Sequence, residues 1–114
     1  MSSPSSAPPT EPQIRVTDHA LARARERHID LRLLGERQLL RLICREVGDA
    51  MRNERVAKNA PREVLVHPAY SRRQKASWAR YAWDEKHQHV YVIRRVNGLV
   101  LVVTVLATTR SRAA

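Results

Sequence analysis

The dipeptide Asn97-Gly98 constrains this chain more than any other feature. It separates two runs rich in Val, Ile, Leu and Tyr, residues 88–96 and 99–108, and both of its residues tolerate the positive φ of a two-residue type I′ turn. Such a loop fixes register: Val96 faces Leu99, Arg95 faces Val100, Ile93 faces Val102 and Tyr91 faces Thr104. Side chains alternate along a strand, so one face carries Tyr91, Ile93, Arg95, Val100, Val102, Thr104 and Leu106. The other carries Val90, Val92, Arg94, Leu99, Leu101, Val103 and Val105. This second face is almost wholly aliphatic and is predicted to lie under helices.

Working backwards, a Glu85-Lys86 tip would pair Asp84 with His87, Ala82 with His89 and Arg80 with Tyr91. Arg80, Tyr91 and Thr104 then form one row across three strands, with His89 and Arg95 on the same face, while Tyr81 and Trp83 turn inward. Alternation also predicts a strand over 63–67, after a turn at Asn59-Ala60-Pro61, giving four strands at 63–67, 77–84, 88–96 and 99–108.

The first half of the chain has a different period. After a short strand or lead-in at 14–16, Thr17 offers an N-cap hydroxyl and Asp18 a first-turn carboxylate for a helix over 18–28. In a second helix Leu39, Leu40, Ile43, Val47, Ala50 and Met51 form one apolar stripe, with Glu36, Arg37, Arg41, Arg45 and Arg52 outside. The predicted fold is therefore α+β: two N-terminal helices packed on one face of a four-stranded, mainly antiparallel sheet, spanning 14–110. Residues 1–13, rich in Ser, Pro and Ala, are predicted to be a disordered tail, and 111–114 a short C-terminal one.

With 114 residues the chain can close one core. Its formal net charge of +10, carried mostly by arginine, favours a polyanionic partner, most commonly nucleic acid. Cys44 is the single cysteine, which excludes an intramolecular disulfide, a CxxC redox motif and a multi-thiolate zinc site, and it is predicted to be core. No apolar run reaches membrane-spanning length, and the start lacks both a basic and an apolar signal region, so the expectation is a cytoplasmic protein without a membrane partner.

Short motifs carry a resemblance. Thr17-Asp18-His19-Ala20 with Arg23 and Arg27, then Tyr81-Ala82-Trp83-Asp84, Tyr91-Val92-Ile93-Arg94-Arg95 and Val102-Val103-Thr104-Val105-Leu106 resemble small RelE-like proteins. These belong to the barnase, EndoU, colicin and RelE-type group of RNase toxins, with bacterial and phage members. The resemblance implies a RelE-like fold and a metal-independent ribonuclease of toxin–antitoxin type. Its partners would be RNA, free or as ribosome-bound mRNA, and an antitoxin or a host target protein. One departure is plain: the lysine-rich phosphate-binding set of ribosome-dependent toxins has no clean counterpart in this chain.

Metal-free RNA cleavage needs a base for the 2′-OH, a cation for the phosphorane and an acid for the leaving oxygen. On an ideal helix Arg23 lies about 40° and Arg27 about 80° round from His19, forming a polar stripe with Glu26. The resemblance assigns His19 as general acid or base and Arg23 as phosphate clamp, with Tyr91 and Thr104 completing the catalytic set. The RNA-binding set is Arg27, Arg72, Arg73, Lys75, Trp78, Arg80, His89 and Arg95. His87-x-His89 beside Asp84 superficially resembles a metal site, but its spacing is weak evidence, and neither metal nor cofactor is expected. The alternative is a non-catalytic interaction protein that binds and inhibits a host protein on the same scaffold. Convergence separates the two: an enzyme must bring His19 and Arg23 to the polar row of the sheet.

Overall fold

In the computed structural model residues 13–61 and 77–108 are described, and they form three helices and one five-stranded sheet. Strand β1 (Gln13–Val16) leads into α1 (Asp18–Arg27), the single-turn α2 (Ile29–Arg32) and α3 (Glu36–Arg52). Strands β2 (Val56–Ala57), β3 (Arg80–Trp83), β4 (Val90–Val96) and β5 (Leu99–Leu106) follow. The sheet order is β1-β5-β4-β3-β2, with β1 parallel to β5 and every other pairing antiparallel. The fold is α+β as expected, but the sheet is mixed and five-stranded, and a third short helix joins the other two. Gln13, assigned to the tail by composition, opens β1 and donates its N–H to the Gly98 carbonyl. The predicted strand at 63–67 lies outside the described residues. Among those described, no helix is long and apolar enough to cross a membrane.

Local chemistry accounts for the helices. Thr17 caps α1 by accepting the Ala20 N–H at 3.1 Å. Ala20 and Ala24 are fully buried, so the small residues of α1 allow close approach to β5. Helix α3 buries Leu39, Ile43, Val47 and Ala50 of the predicted stripe, with Leu40 and Met51 half-buried, and leaves Arg37, Arg41, Arg45 and Arg52 on its outer side. It ends in a Schellman arrangement, with the Arg55 N–H on the Ala50 carbonyl and Glu54 in left-handed conformation at φ 57°. Cys44 is only half-buried.

The Asn97-Gly98 turn forms with φ of 47° and 80°, and the next four pairs, from Val96 with Leu99 to Ile93 with Val102, follow the predicted register. There the register breaks. A bulge leaves Val103 unpaired, so Val92 faces Thr104 and Tyr91 faces Val105. Val100, Val102 and Val105 therefore all point to the helices, although their parity differs. Thr104 leaves the Tyr91 row and shares the opposite face with Val92.

The predicted assignment of the two faces is also reversed. Ala82, Tyr91, Ile93, Val100, Val102 and Val105 make the main core with α1 and α3. Val90, Val92 and Tyr81 form a second apolar cluster on the other side, with Ala60, Ala79 and the flanking Trp83 and Leu106. Aliphatic content does not discriminate between the faces, because both are apolar. The decision comes from Tyr91, whose ring is buried while its hydroxyl finds a carboxylate on α3.

The hairpin before β4 differs as well. Asp84 Oδ1 accepts the N–H groups of Gln88 at 2.7 Å and His89 at 2.8 Å, closing a four-residue loop rather than a two-residue one. Arg80 consequently pairs with Ile93 and Ala82 with Tyr91, a slip of two residues that preserves which face each occupies.

Beyond Val16, where β1 stops, the carbonyls of β5 find donors on the helical segment. Thr17 Oγ1 donates to the carbonyls of Val102 and Val103 at 3.1 and 3.2 Å, and Arg27 Nη1 reaches the Val105 carbonyl at 2.8 Å. Thr17→Ala removes both the cap and a donor at the bulge. We expect a loss of about 1–2 kcal/mol in urea denaturation, and little loss for Thr17→Ser, which keeps the hydroxyl.

Candidate functional site

Of the polar stripe of α1, only Arg27 is tied into the fold by a hydrogen bond to the sheet among the described residues. His19 is exposed, and among the described residues it makes no hydrogen bond or ring contact with Arg80, Tyr91, Arg95 or Thr104. Arg23 is half-buried and pairs with Glu26 one turn on. Arg27 is spent on the β5 backbone, and its pKa is lowered by burial and by neighbouring Arg23. Tyr91 is fully buried beneath α3, and half-buried Thr104 lies on the opposite sheet face. The predicted catalytic set His19, Arg23, Tyr91 and Thr104 is therefore not assembled, because reversed faces and the bulge separate its members.

The structure instead builds a polar centre where α2, α3 and the start of β4 meet. His89, only 4 % exposed, lies between two carboxylates: Nδ1 is 2.9 Å from Glu46 Oε1 and Nε2 is 2.8 Å from Asp30 Oδ2. Carboxylates only accept, so both ring nitrogens donate and the ring is an imidazolium. Burial alone would lower the His89 pKa. Hydrogen bonding to Glu46 and the charges of Glu46 and Asp30 outweigh it and raise the value to about 9. Tyr91 donates its hydroxyl to the same Glu46 oxygen, and burial followed by the Glu46 charge pushes its pKa well up.

His28, the residue that ends α1, completes the centre. It is fully buried and meets the His89 ring edge to face, with centroids 4.8 Å apart. Its Nε2 lies 2.9 Å from the Leu106 carbonyl oxygen, and burial foremost lowers its pKa, which keeps it neutral beside the charged His89. Asp30, whose side chain is 50 % exposed, opens the centre to solvent.

A second feature lies past the C-terminal end of α3. Met51, Glu54, Val56, Ala57, Lys58, Arg80 and Arg95 line an open cleft of about 500 Å³. Arg80 and Arg95 share the helix-side face of the sheet, and Arg80 Nη1 is held by the carbonyls of Ser77 and Ala79 at 3.1 and 2.9 Å. Lys58 and Arg95 are exposed, and among the described residues Glu54 is the one carboxylate in the lining.

Comparison with protein-family models, curated proteins and solved structures finds no match. The chemistry of the site rests on its own residues.

Of the predicted RNA-binding residues, Arg80 and Arg95 meet in the cleft, while His89 belongs to the buried centre and Arg27 to the β5 backbone. Trp78 is 38 % exposed with Arg94 stacked 5.3 Å from its ring centre, a surface arrangement on the face away from the helices. Arg72, Arg73 and Lys75 lie outside the described residues. His87 and His89 do not act as a pair: His87 sits in the turn at φ 58°, and Asp84 is occupied by backbone amides. Sequence reasoning missed His28, Asp30, Glu46 and Lys58. A signal existed for Glu46, three residues after Ile43 and four before Ala50, which places a carboxylate beside the apolar stripe.

Proposed function

We propose that this chain is an RNA-binding domain of the RelE-like kind, gripping the phosphate backbone in the cleft formed by Lys58, Arg80 and Arg95. The observation that carries the reading is the convergence, among the described residues, of three cations against a single carboxylate in one open concavity. The arginines on the outer side of α3 support it: Arg37, Arg41 and Arg45 recur every four residues on one helix face, and among the described residues none has a carboxylate partner. Together with the net charge of +10, these features favour sequence-independent contacts to phosphate. Binding without cleavage is the activity assigned, because the predicted acid–base set does not converge.

Fluorescence anisotropy with a labelled single-stranded RNA, over a series of salt concentrations, tests the reading. The Lys58→Ala/Arg95→Ala pair should weaken binding and reduce the slope of log K against log salt by about 0.7 for each phosphate that is no longer neutralised. Arg15→Ala, which removes a charge at the far edge of the sheet, should leave the slope unchanged. Absence of binding at 0.1 M salt, or equal slopes for the cleft variants and wild type, overturns it. Gel analysis of the recovered RNA shows whether any cleavage accompanies binding.

A further inference from the structure

We propose that His28, Asp30 and His89 form a binding site for a divalent cation of the zinc class, with Glu46 holding His89 in position. One ligating atom from each of the three lies within 4.8 Å of the others. Two imidazoles and a carboxylate suit zinc and its neighbours in the transition series, whereas calcium and magnesium favour all-oxygen sets.

The decisive atom is Nδ1 of His28. The Leu106 carbonyl can only accept, so the hydrogen of the neutral His28 ring resides on Nε2, leaving Nδ1 as a bare lone pair. That nitrogen is buried and, among the described residues, has no hydrogen-bond partner. A buried acceptor without a donor is uncommon in folded proteins. Here it belongs to a ring packed against a second histidine and beside a carboxylate that reaches solvent.

The hydrogen bonds of His89 describe the other half of the site. Its Nε2 proton points at Asp30, and a metal ion taking the place of that proton would be bound by the same two atoms, with the proton released to water. Its Nδ1 donates to Glu46, the carboxylate–histidine arrangement that orients metal-bound imidazoles and raises their basicity. Without an ion, one imidazolium faces two carboxylates and leaves one negative charge in excess. A divalent ion on neutral His89 balances both carboxylates.

Three protein ligands leave a fourth position for water, and Asp30 connects the cluster to solvent. In a tetrahedral site the ligating atoms stand about 3–3.5 Å apart, so the His89 Nε2–Asp30 Oδ2 pair must open slightly from 2.8 Å and the wider separations, up to 4.8 Å, must close, a rearrangement that the half-exposed Asp30 side chain can share. The cluster Glu46, Asp84 and His89 is a poorer candidate, since Asp84 Oδ1 already accepts two backbone N–H groups.

The test uses tag-free full-length protein, stripped with EDTA, dialysed and titrated with Co²⁺ and then Zn²⁺. The expected result is one Co²⁺ per chain with visible absorption bands of a low-coordinate site, bleached when Zn²⁺ displaces it. Glu46→Gln should weaken binding about 10–100-fold. Asp30→Asn and His28→Gln should abolish the bands, and Asp30→Asn, at a half-exposed position, should retain the wild-type circular dichroism spectrum. Absence of stoichiometric binding to the wild type, or unchanged bands in folded Asp30→Asn, overturns the proposal.

Discussion

Glu46→Leu is expected to lower the unfolding free energy by about 3–5 kcal/mol, read by urea denaturation at pH 7 in EDTA. Glu46 accepts from both His89 Nδ1 and the Tyr91 hydroxyl. Among the described residues, its removal leaves a buried imidazolium with only the half-exposed Asp30, and a buried phenol with no acceptor. The whole stability of a domain of this size is on the order of 5–15 kcal/mol, so the variant should be close to unfolding. The contrast is Glu26→Ala, which breaks the Arg23 ion pair on α1. That pair is exposed, and its loss should cost no more than about 0.5 kcal/mol. A Glu46→Leu cost below about 1 kcal/mol would show that the centre contributes little to folding.

The second large effect is alkaline destabilisation. His89 has its pKa raised from 6.5 to about 9, so between those values the folded chain holds a proton that the unfolded chain has released. Its contribution is complete below pH 6.5, declines as pH rises and is gone above about 9, a loss of about 3 kcal/mol. Tyr91 continues the trend at higher pH, because the unfolded phenol ionises while the buried one resists. His28 acts oppositely on the acid side. Its folded pKa is lowered, so below pH 6.5 the unfolded chain takes up a proton that the native chain refuses, and stability falls with falling pH. Denaturation midpoints measured in EDTA across pH 5–10 should therefore peak near pH 6.5. His89→Gln should remove the alkaline decline between 6.5 and 9, and a wild-type midpoint flat over that interval would rule out the charged His89.

Features that are local in sequence were legible in this chain. The Asn97-Gly98 turn, the Thr17 cap and the α3 stripe each depend on residues within a few positions of one another, and all three form. What failed required knowledge of distant partners. Tyr91 and His89 read as polar and therefore as open-faced, since nothing near them in sequence supplies acceptors. Their acceptors come from Glu46, 45 and 43 residues away, and from Asp30, 59 residues from His89. The bulge left no signal because Val102-Val103-Thr104 is β-branched throughout and fits either phase. The longer turn at Asp84 was hidden because the extra loop residues, His87 and Gln88, look like strand continuation. For the cleft, the charges of Arg80 and Arg95 were legible, but their company with Lys58 was set by where α3 ends.

The unpaired Val103 has a consequence for how the chain finds its seat. With apolar residues on both faces, the aliphatic content of the hairpin gives little preference for which one to bury. The bulge at Val103 changes the phase within β5, and from outside the hairpin the Thr17 hydroxyl on the Val103 carbonyl and the Glu46 carboxylate on the Tyr91 hydroxyl favour burial of the Tyr91 face. Helix α1 thus works as a key cut to one notch: its capping hydroxyl sits against the bulge that brings Val105 to the same side as Val100 and Val102.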